Sequence, residues 1–287
     1  MMHNRRLGRT EVEVSPIAFG GAPIGLANYL GRWDPDDATD ELLAIKAVTT
    51  ALGHGINYLD TALSYGQGRS EQMMGAAIRQ SGRSAFVATK TPKRTYDGVI
   101  ATAETSLKNL GVATIDLLQF HGGKWSEEET MTVLTGGGIE AMNELRRAGK
   151  IRFTGFTAEI GSPGTYQLLR SGHFDVMQIA YNVLYQDACN LMVSAGPIME
   201  AHERGMGVVT MRSLTSGVVQ RLFQAGLPMV EPNFDLHAFC LNFVLSNPYV
   251  HSAVVGMRTA DEVVKNVAIA ENDAMRLDLT EIHRRYV

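Results

Sequence analysis

The sequence predicts an α/β chain folded as a closed (β/α)8 TIM barrel preceded by a short N-terminal β-hairpin, and three observations carry that expectation. Eight short apolar, β-branched runs recur along the chain, alternating with stretches of helical periodicity. Several runs end abruptly on glycine or on a polar or charged residue, as strands do when they deliver side chains to one end of a parallel sheet. The length, 287 residues, lies in the range of one such barrel, so 1–287 reads as a single domain.

The elements follow in order. RRLG and TEVEV flank a Gly-Arg turn, and their short alternation suggests a hairpin. PIAFGG, ending on Gly20 and Gly21, is the first barrel strand. The connection from Ala22 to Ala38 is long and carries Tyr29 and Trp33 among Gly, Asp and Pro. On a barrel it lies over the mouth, where these rings either line a substrate site or pin the loop to the scaffold. Asp40 to His54 then spaces Leu42, Leu43, Ile45, Ala47, Val48 and Leu52 as a helix does.

The second strand closes on Asp60, and Tyr65 stands on the loop that follows. Gly66 and Gly68 permit tight turns there, Ser70 is a candidate cap, and EQMMGAAIRQ is amphipathic. FVATK is the third strand and ends on Lys90; a helix capped by Thr95 or Asp97 extends to Leu110. The fourth strand, DLLQF, runs into His121. Residues 122–138 are polar and glycine-rich, with Trp125 and three glutamates at 127, 128 and 129, and read as a solvated lid. A helix over Ile139 to Ala148 stops at Gly149 before KIRFTGFT, the fifth strand. Pro163 starts a helix that Gly172 ends, and DVMQIAYN is the sixth strand. GVVTMRS is the seventh, and SAVVG the eighth, before a helix over Asp261 to Glu271.

Composition narrows the function. With 26 Lys and Arg against 30 Asp and Glu, the formal charge of −4 offers no basic field for nucleic acid or acidic lipid. Cys189 and Cys240 sit far apart in apolar settings and read as free buried thiols of a reducing compartment, here the cytoplasm. No apolar run approaches a membrane span, and MMHNRRLGR has no apolar run behind its charges. Histidines at 3, 54, 121, 173, 202, 237, 251 and 283 form no HxH or HExxH, and there is no CxxC pair, so no metal is expected. A GxSxG elbow is also missing. Monomer and homo-oligomer stay equally open.

Taken singly, Asp60 can be a helix cap, Tyr65 packing and His121 a satisfied structural histidine. Lys90 is less ordinary, because a lysine ending an apolar strand needs a partner. Together these groups have a chemistry. A phenol of ordinary pKa about 10 becomes a proton donor when an ammonium favours its phenolate, a carboxylate holds that ammonium, and a histidine of fixed tautomer donates to the same substrate oxygen.

At this point the chain resembles the aldo/keto reductases over nearly its whole length. The most specific match is DTALSYGQGRSEQMMG, with the Asp-Thr-Ala, Tyr-Gly and Ser-Glu pieces of the family signature. The resemblance implies a catalytic tetrad of Asp60, Tyr65, Lys90 and His121, and a nicotinamide cofactor held without GxGxxG. By the same match, Gln178 of MQIAYN and Thr157 of GFTAE bind the carboxamide, with Ala158 standing where the family has Asn. Met211 takes the place of the aromatic platform beneath the ring, and Leu214 and Gly217 wrap the pyrophosphate. VVGMRTADEVVKN matches the adenosine-phosphate segment: Arg258 and Thr259 fall by a ribose 2′-phosphate, Asn266 by adenine, and Glu262 where Gln or Arg is usual. Gly21 and Gly256, at the ends of the first and last barrel strands, complete the implied cofactor set, together with Asp60.

The expected activity is therefore interconversion of a small-molecule carbonyl and its alcohol, with NADP preferred on the strength of Arg258 and NAD possible. For the substrate, Tyr29, Trp33, Trp125, Tyr65 and His121 form an apolar, aromatic wall, with Phe223 and Leu227 in a further mouth segment from Val218 to Pro232. That wall suits an aromatic or aliphatic aldehyde, with a sugar lactol and lactone pair as alternative. A non-catalytic, cofactor-binding regulatory barrel is a further alternative, opposed by the intact tetrad.

Overall fold

The structure, a computed structural model, describes residues 2–191, 193–226 and 234–284. Its centre is the expected barrel. The strands β3 (Ile17–Gly20), β4 (Tyr58–Asp60), β5 (Phe86–Thr91), β6 (Ile115–Phe120), β7 (Ile151–Ala158), β8 (Val176–Ala180), β9 (Gly207–Met211) and β10 (Ser252–Gly256) pair in parallel in sequence order. The last pairs with the first, Ala253 opposite Ile17 and Gly256 opposite Gly20, which closes the sheet. All carry buried apolar residues on two sides, because side chains alternate between the interior and the surrounding helices.

The hairpin is present as β1 (Arg5–Arg6) and β2 (Glu13–Val14), antiparallel, with Arg5 opposite Val14. It closes the bottom of the barrel. Leu7 and Val14 join Ala18, Tyr58, Phe86, Ala88, Leu117, Val176 and Val209 in one buried interior cluster. Gly8 makes this docking possible: at φ +49 it lies so near the backbone of Met206 and Gly207 that a Cβ would come within 2.4 Å of both. Arg5 donates to the carbonyls of Val250 and Leu245, and Arg9 to those of Phe174.

The helices cover the outside: α1 (Ala22–Gly25), α2 (Ala38–Gly53), α3 (Arg69–Ser81), α4 (Tyr96–Leu110), α5 (Glu127–Thr135), α6 (Gly138–Arg147), α7 (Pro163–Arg170), α8 (Pro197–Glu203), α9 (Val218–Gly226), α10 (Leu236–Leu245), α11 (Ala260–Glu271) and α12 (Leu279–Arg284). Their inner faces pack on the barrel through residues such as Ala47, Ala51, Met74, Ala103, Leu145, Leu168 and Val263.

Two local expectations change. Ser70 caps nothing: Gly68, at φ 95, is the N-cap of α3, and Ser70 is buried one residue inside, accepting from Thr61 Oγ1 at 2.8 Å. The acidic stretch after β6 is not a lid of irregular chain but α5, started by a capping box between Ser126 and Glu129. The glutamates lie in its first turn, where they favour the positive end of the helix dipole.

Candidate active site

The ends of β4, β5 and β6 bring together the groups that the sequence singles out. Asp60 is the last residue of β4, Lys90 lies next to last in β5, and His121 follows the last residue of β6. Register aligns them, since Asp60 pairs with Ala88 and Lys90 with Gln119. Lys90 Nζ donates to Asp60 Oδ1 and to the Thr61 carbonyl, both at 2.7 Å. Asp60 also accepts from Gln178 Nε2 at 3.4 Å.

Tyr65 reaches back over this pair from the loop after β4. Lys90 Nζ lies 5.0 Å from the centre of its ring, and the His121 ring stands edge-on to it with centroids 5.8 Å apart. Gly66, at φ +65, lets the loop turn: a Cβ there would meet the Gly25 carbonyl oxygen at 2.1 Å.

Electrostatics give these groups definite states. Burial works against the Lys90 ammonium, but Asp60 and Tyr65 outweigh it and hold its pKa above the ordinary value. Burial is also the largest influence on Tyr65 and pushes its phenol up, while Lys90 pulls the other way. The expectation of a net lowering by the ammonium therefore does not hold for this enclosed phenol. His121 is driven down to about 4 by burial, then by the nearby positive charges of Lys90 and Arg94, so its imidazole is neutral at pH 7. Its Nδ1 is 3.2 Å from Ser64 Oγ. With that hydroxyl donating, the ring hydrogen sits on Nε2.

Tyr65, His121 and Asp60 line a cavity of about 1090 Å³. Gln178, Thr157, Met211, Leu214, Gly217, Gly256, Arg258, Glu262 and Asn266 line the same cavity. Gln178 Oε1 accepts from Gln119 Nε2 at 3.0 Å, and Thr157 Oγ1 bonds the Gly122 backbone, so both side chains are fixed before anything binds. Gly21, Lys90 and Thr259 are not in the wall. Gly21 supports it from behind, where a Cβ would strike Ser70 Oγ at 2.3 Å. Thr259 is the N-cap of α11.

The aromatic wall is corrected. Tyr29 is 44% exposed and lines the cavity, but Trp33 and Trp125 are only 4% and 2% exposed and do not. Trp33 donates to the Ile24 carbonyl at 2.9 Å, and Trp125 to that of Thr157 at 2.8 Å. Each indole thus pins a loop to the scaffold, since a buried N–H must find an acceptor. In the further mouth segment, Phe223 falls on α9, while Leu227 and Pro232 lie outside the described residues.

Among the cavity residues that sequence reasoning missed, Arg212, Glu159 and Ser213 stand out. Arg212 directly follows β9, and its guanidinium grips Glu159, directly after β7, at 2.6 and 2.7 Å. Ser213 Oγ is buried with no partner among the described residues. Their signal in the sequence was position alone: each stands just past a strand's C-terminal end.

The residues present fit a dinucleotide. The cavity is roomy, Ser213 Oγ and Gln220 Oε1 line it as buried polar atoms without partners among the described residues, and the Gln178 amide in its wall is fixed by Gln119. Part of its wall is already taken by a carboxylate: Glu262 Oε2 accepts from the backbone N–H of Arg258 at 2.6 Å and of Thr259 at 3.3 Å. Arg258 donates to the Leu30 carbonyl at 3.1 Å and lies over the Trp33 ring.

Comparison with known proteins agrees with this architecture. L-galactose dehydrogenase of Arabidopsis thaliana is 26% identical, over 96% of this chain and 90% of its own. Pyridoxal 4-dehydrogenase of Microbacterium luteolum is 27% identical, over 92% of this chain and 91% of its own. An aldo/keto reductase of Klebsiella pneumoniae, solved in complex with NADP and acetate, superposes with a TM-score of 0.76 at 19% identity, covering 99% of this chain and 94% of that one. A profile of the Aldo/keto reductase family matches residues 16–234, and the chain belongs to that family.

Proposed function

We propose that the chain is an NADP(H)-dependent oxidoreductase, able also to use NAD(H), that interconverts a small aldehyde or ketone and its alcohol with Tyr65 as the proton donor. One observation carries this reading: a buried Asp60–Lys90 ion pair beneath Tyr65, beside a neutral His121, at a cavity of about 1090 Å³ that also takes in Gln178, Thr157, Met211 and Arg258.

Bound there, a nicotinamide supplies the hydride. Gln178 and Thr157 would hold its carboxamide, Met211 its ring, Leu214 and Gly217 the pyrophosphate, and Asn266 the adenine end. This chain's own work is the proton. Tyr65 gives its hydroxyl hydrogen to the carbonyl oxygen, and Lys90 stabilises the phenolate left behind. Asp60 keeps the ammonium in place, fixed in turn by Gln178. His121 donates from Nε2 to the same oxygen, which positions the carbonyl and stabilises negative charge as it develops.

The NADP preference rests on Arg258 and on the NADP complex of the Klebsiella pneumoniae protein. Glu262 opposes it, since its carboxylate holds the two N–H groups that a 2′-phosphate would use. The free thiols Cys189 and Cys240 are buried and suit the cytoplasm. Quenching of protein fluorescence by NADPH and NADH, followed by turnover against a panel of carbonyls, tests the whole reading. Cofactor binding with no turnover of any carbonyl would leave a regulatory barrel instead.

A further inference from the structure

With both indoles buried, the substrate wall has lost two of the rings expected of it, while Tyr29, Tyr65 and His121 remain in the cavity. The same cavity is lined by the Arg212–Glu159 pair. Arg212 adopts φ 57, a left-handed conformation uncommon for a residue with a long side chain. Buried Asn182 holds it there: its Nδ2 donates to the Arg212 carbonyl at 3.0 Å, while its Oδ1 takes the N–H groups of Leu184 and Tyr185. Thr215 N–H donates to the same carbonyl at 2.7 Å. Strain maintained by a buried polar side chain at a site is a reason to look for a function.

The partner is tied to the reacting end. Glu159 N–H donates to the Gly123 carbonyl at 2.9 Å, on the loop that begins with His121, and Gly122 N–H donates to Thr157 Oγ1. The fork uses Nε and Nη2 of Arg212. The Nη1 edge and the outer lone pairs of Glu159 therefore form a donor and an acceptor side by side. The pair is half exposed and electrically neutral, since its charges cancel. A carboxylate or phosphate on the substrate would have to displace Glu159 from a bidentate grip. A pair of neighbouring hydroxyls would not, because one accepts from the guanidinium while the other donates to the carboxylate.

Resting on the proposed reaction at Tyr65, we infer that Arg212 and Glu159 are substrate-specificity residues that recognise vicinal hydroxyls, making the substrate a polyhydroxylated carbonyl compound or its cyclic lactol. Tyr29, exposed on the same wall, offers a ring face to the C–H side of such a molecule.

The test compares oxidation of a free aldose, galactose, with that of benzyl alcohol, each with NAD⁺ and NADP⁺, in the wild type and in Arg212→Gly and Glu159→Gln. Glycine suits the left-handed conformation at 212, so that variant folds without strain. The wild type should favour the aldose by 100-fold or more in kcat/KM. Each substitution should lower that ratio at least tenfold, mostly through KM for the aldose, while the Kd of the dinucleotide, read by fluorescence quenching, stays within about twofold. A wild-type preference for benzyl alcohol overturns the inference, as does an equal loss on both substrates. A raised dinucleotide Kd does so too, by assigning the pair to the cofactor. If the wild type turns over neither alcohol, nor any carbonyl in the reverse direction, the reductase reading itself falls and the inference with it.

Discussion

Lys90 Nζ donates to Asp60 Oδ1 at 2.7 Å with both side chains almost wholly buried, and the ammonium lies 5.0 Å from the centre of the Tyr65 ring. Removing one partner leaves an uncompensated charge in the barrel. Lys90→Met should therefore cost roughly 3–5 kcal/mol of stability as well as activity. Asp60→Asn with Lys90→Met should recover much of that stability but none of the turnover. Urea unfolding beside single-turnover kinetics separates the two effects, and a fully active double variant would remove the pair from the proposed chemistry.

Tyr65→Phe deletes one oxygen and no packing surface. Fold and dinucleotide affinity should persist, while turnover drops by roughly 10²–10⁴-fold, the usual worth of a positioned acid. Circular dichroism, NADPH titration and kcat report each part. Near-native kcat would assign the proton to another group.

Acid sensitivity follows from two half-buried histidines. His121 is lowered to about 4, first by burial and then by Lys90 and Arg94; His251 is also lowered to about 4, chiefly by burial, and it accepts the Val208 N–H at Nδ1. The unfolded chain binds protons at these sites below about 6.5 and the folded chain does not. Stability is therefore intact above pH 6.5 and declines as pH falls towards 4, by roughly 3 kcal/mol for each group. Urea midpoints at pH 7.5 and 5 measure it, and His251→Asn, which keeps an acceptor for Val208, should flatten the slope. A midpoint independent of pH over that interval would contradict both assignments.

Glu262→Gln leaves a side chain that can still cap α11 but carries no charge. NADPH affinity should rise roughly tenfold, with NADH nearly unchanged, as like charge is removed beside the 2′-phosphate. Fluorescence titration of both forms decides the matter; equal changes would mean that Glu262 does not face the phosphate.

How much of this was legible in the sequence depends on the physics behind each residue. Barrel order was readable because every strand is a short apolar run that needs burial on two sides. Asp60, Lys90 and His121 were readable because polar groups terminating such runs have one place to go. Trp33 and Trp125 misled because an aromatic ring in a polar loop looks the same whether it covers a mouth or anchors the loop. Their N–H acceptors, the carbonyls of Ile24 and Thr157, are backbone atoms that no residue code announces. The Arg212–Glu159 pair was equally hidden, as it joins the ends of β7 and β9 only after the intervening β8 has been laid between them. The state of Tyr65 depends on how deeply the loop buries it, which neighbouring residues alone do not reveal.

The hairpin at the bottom of the barrel has a consequence for how the chain is made. Leu7 and Gly8 dock on residues near 176 and 207, and Arg5 on the carbonyls of 245 and 250. On a ribosome these early residues emerge long before their partners exist, while β4, β5 and β6 can already align. The chain must keep Leu7, Val14 and the strand edge of β3 exposed until β10 appears to pair with it. Until the last strand pairs with the first and the hairpin caps the ring, those apolar residues and that strand edge are open to other chains.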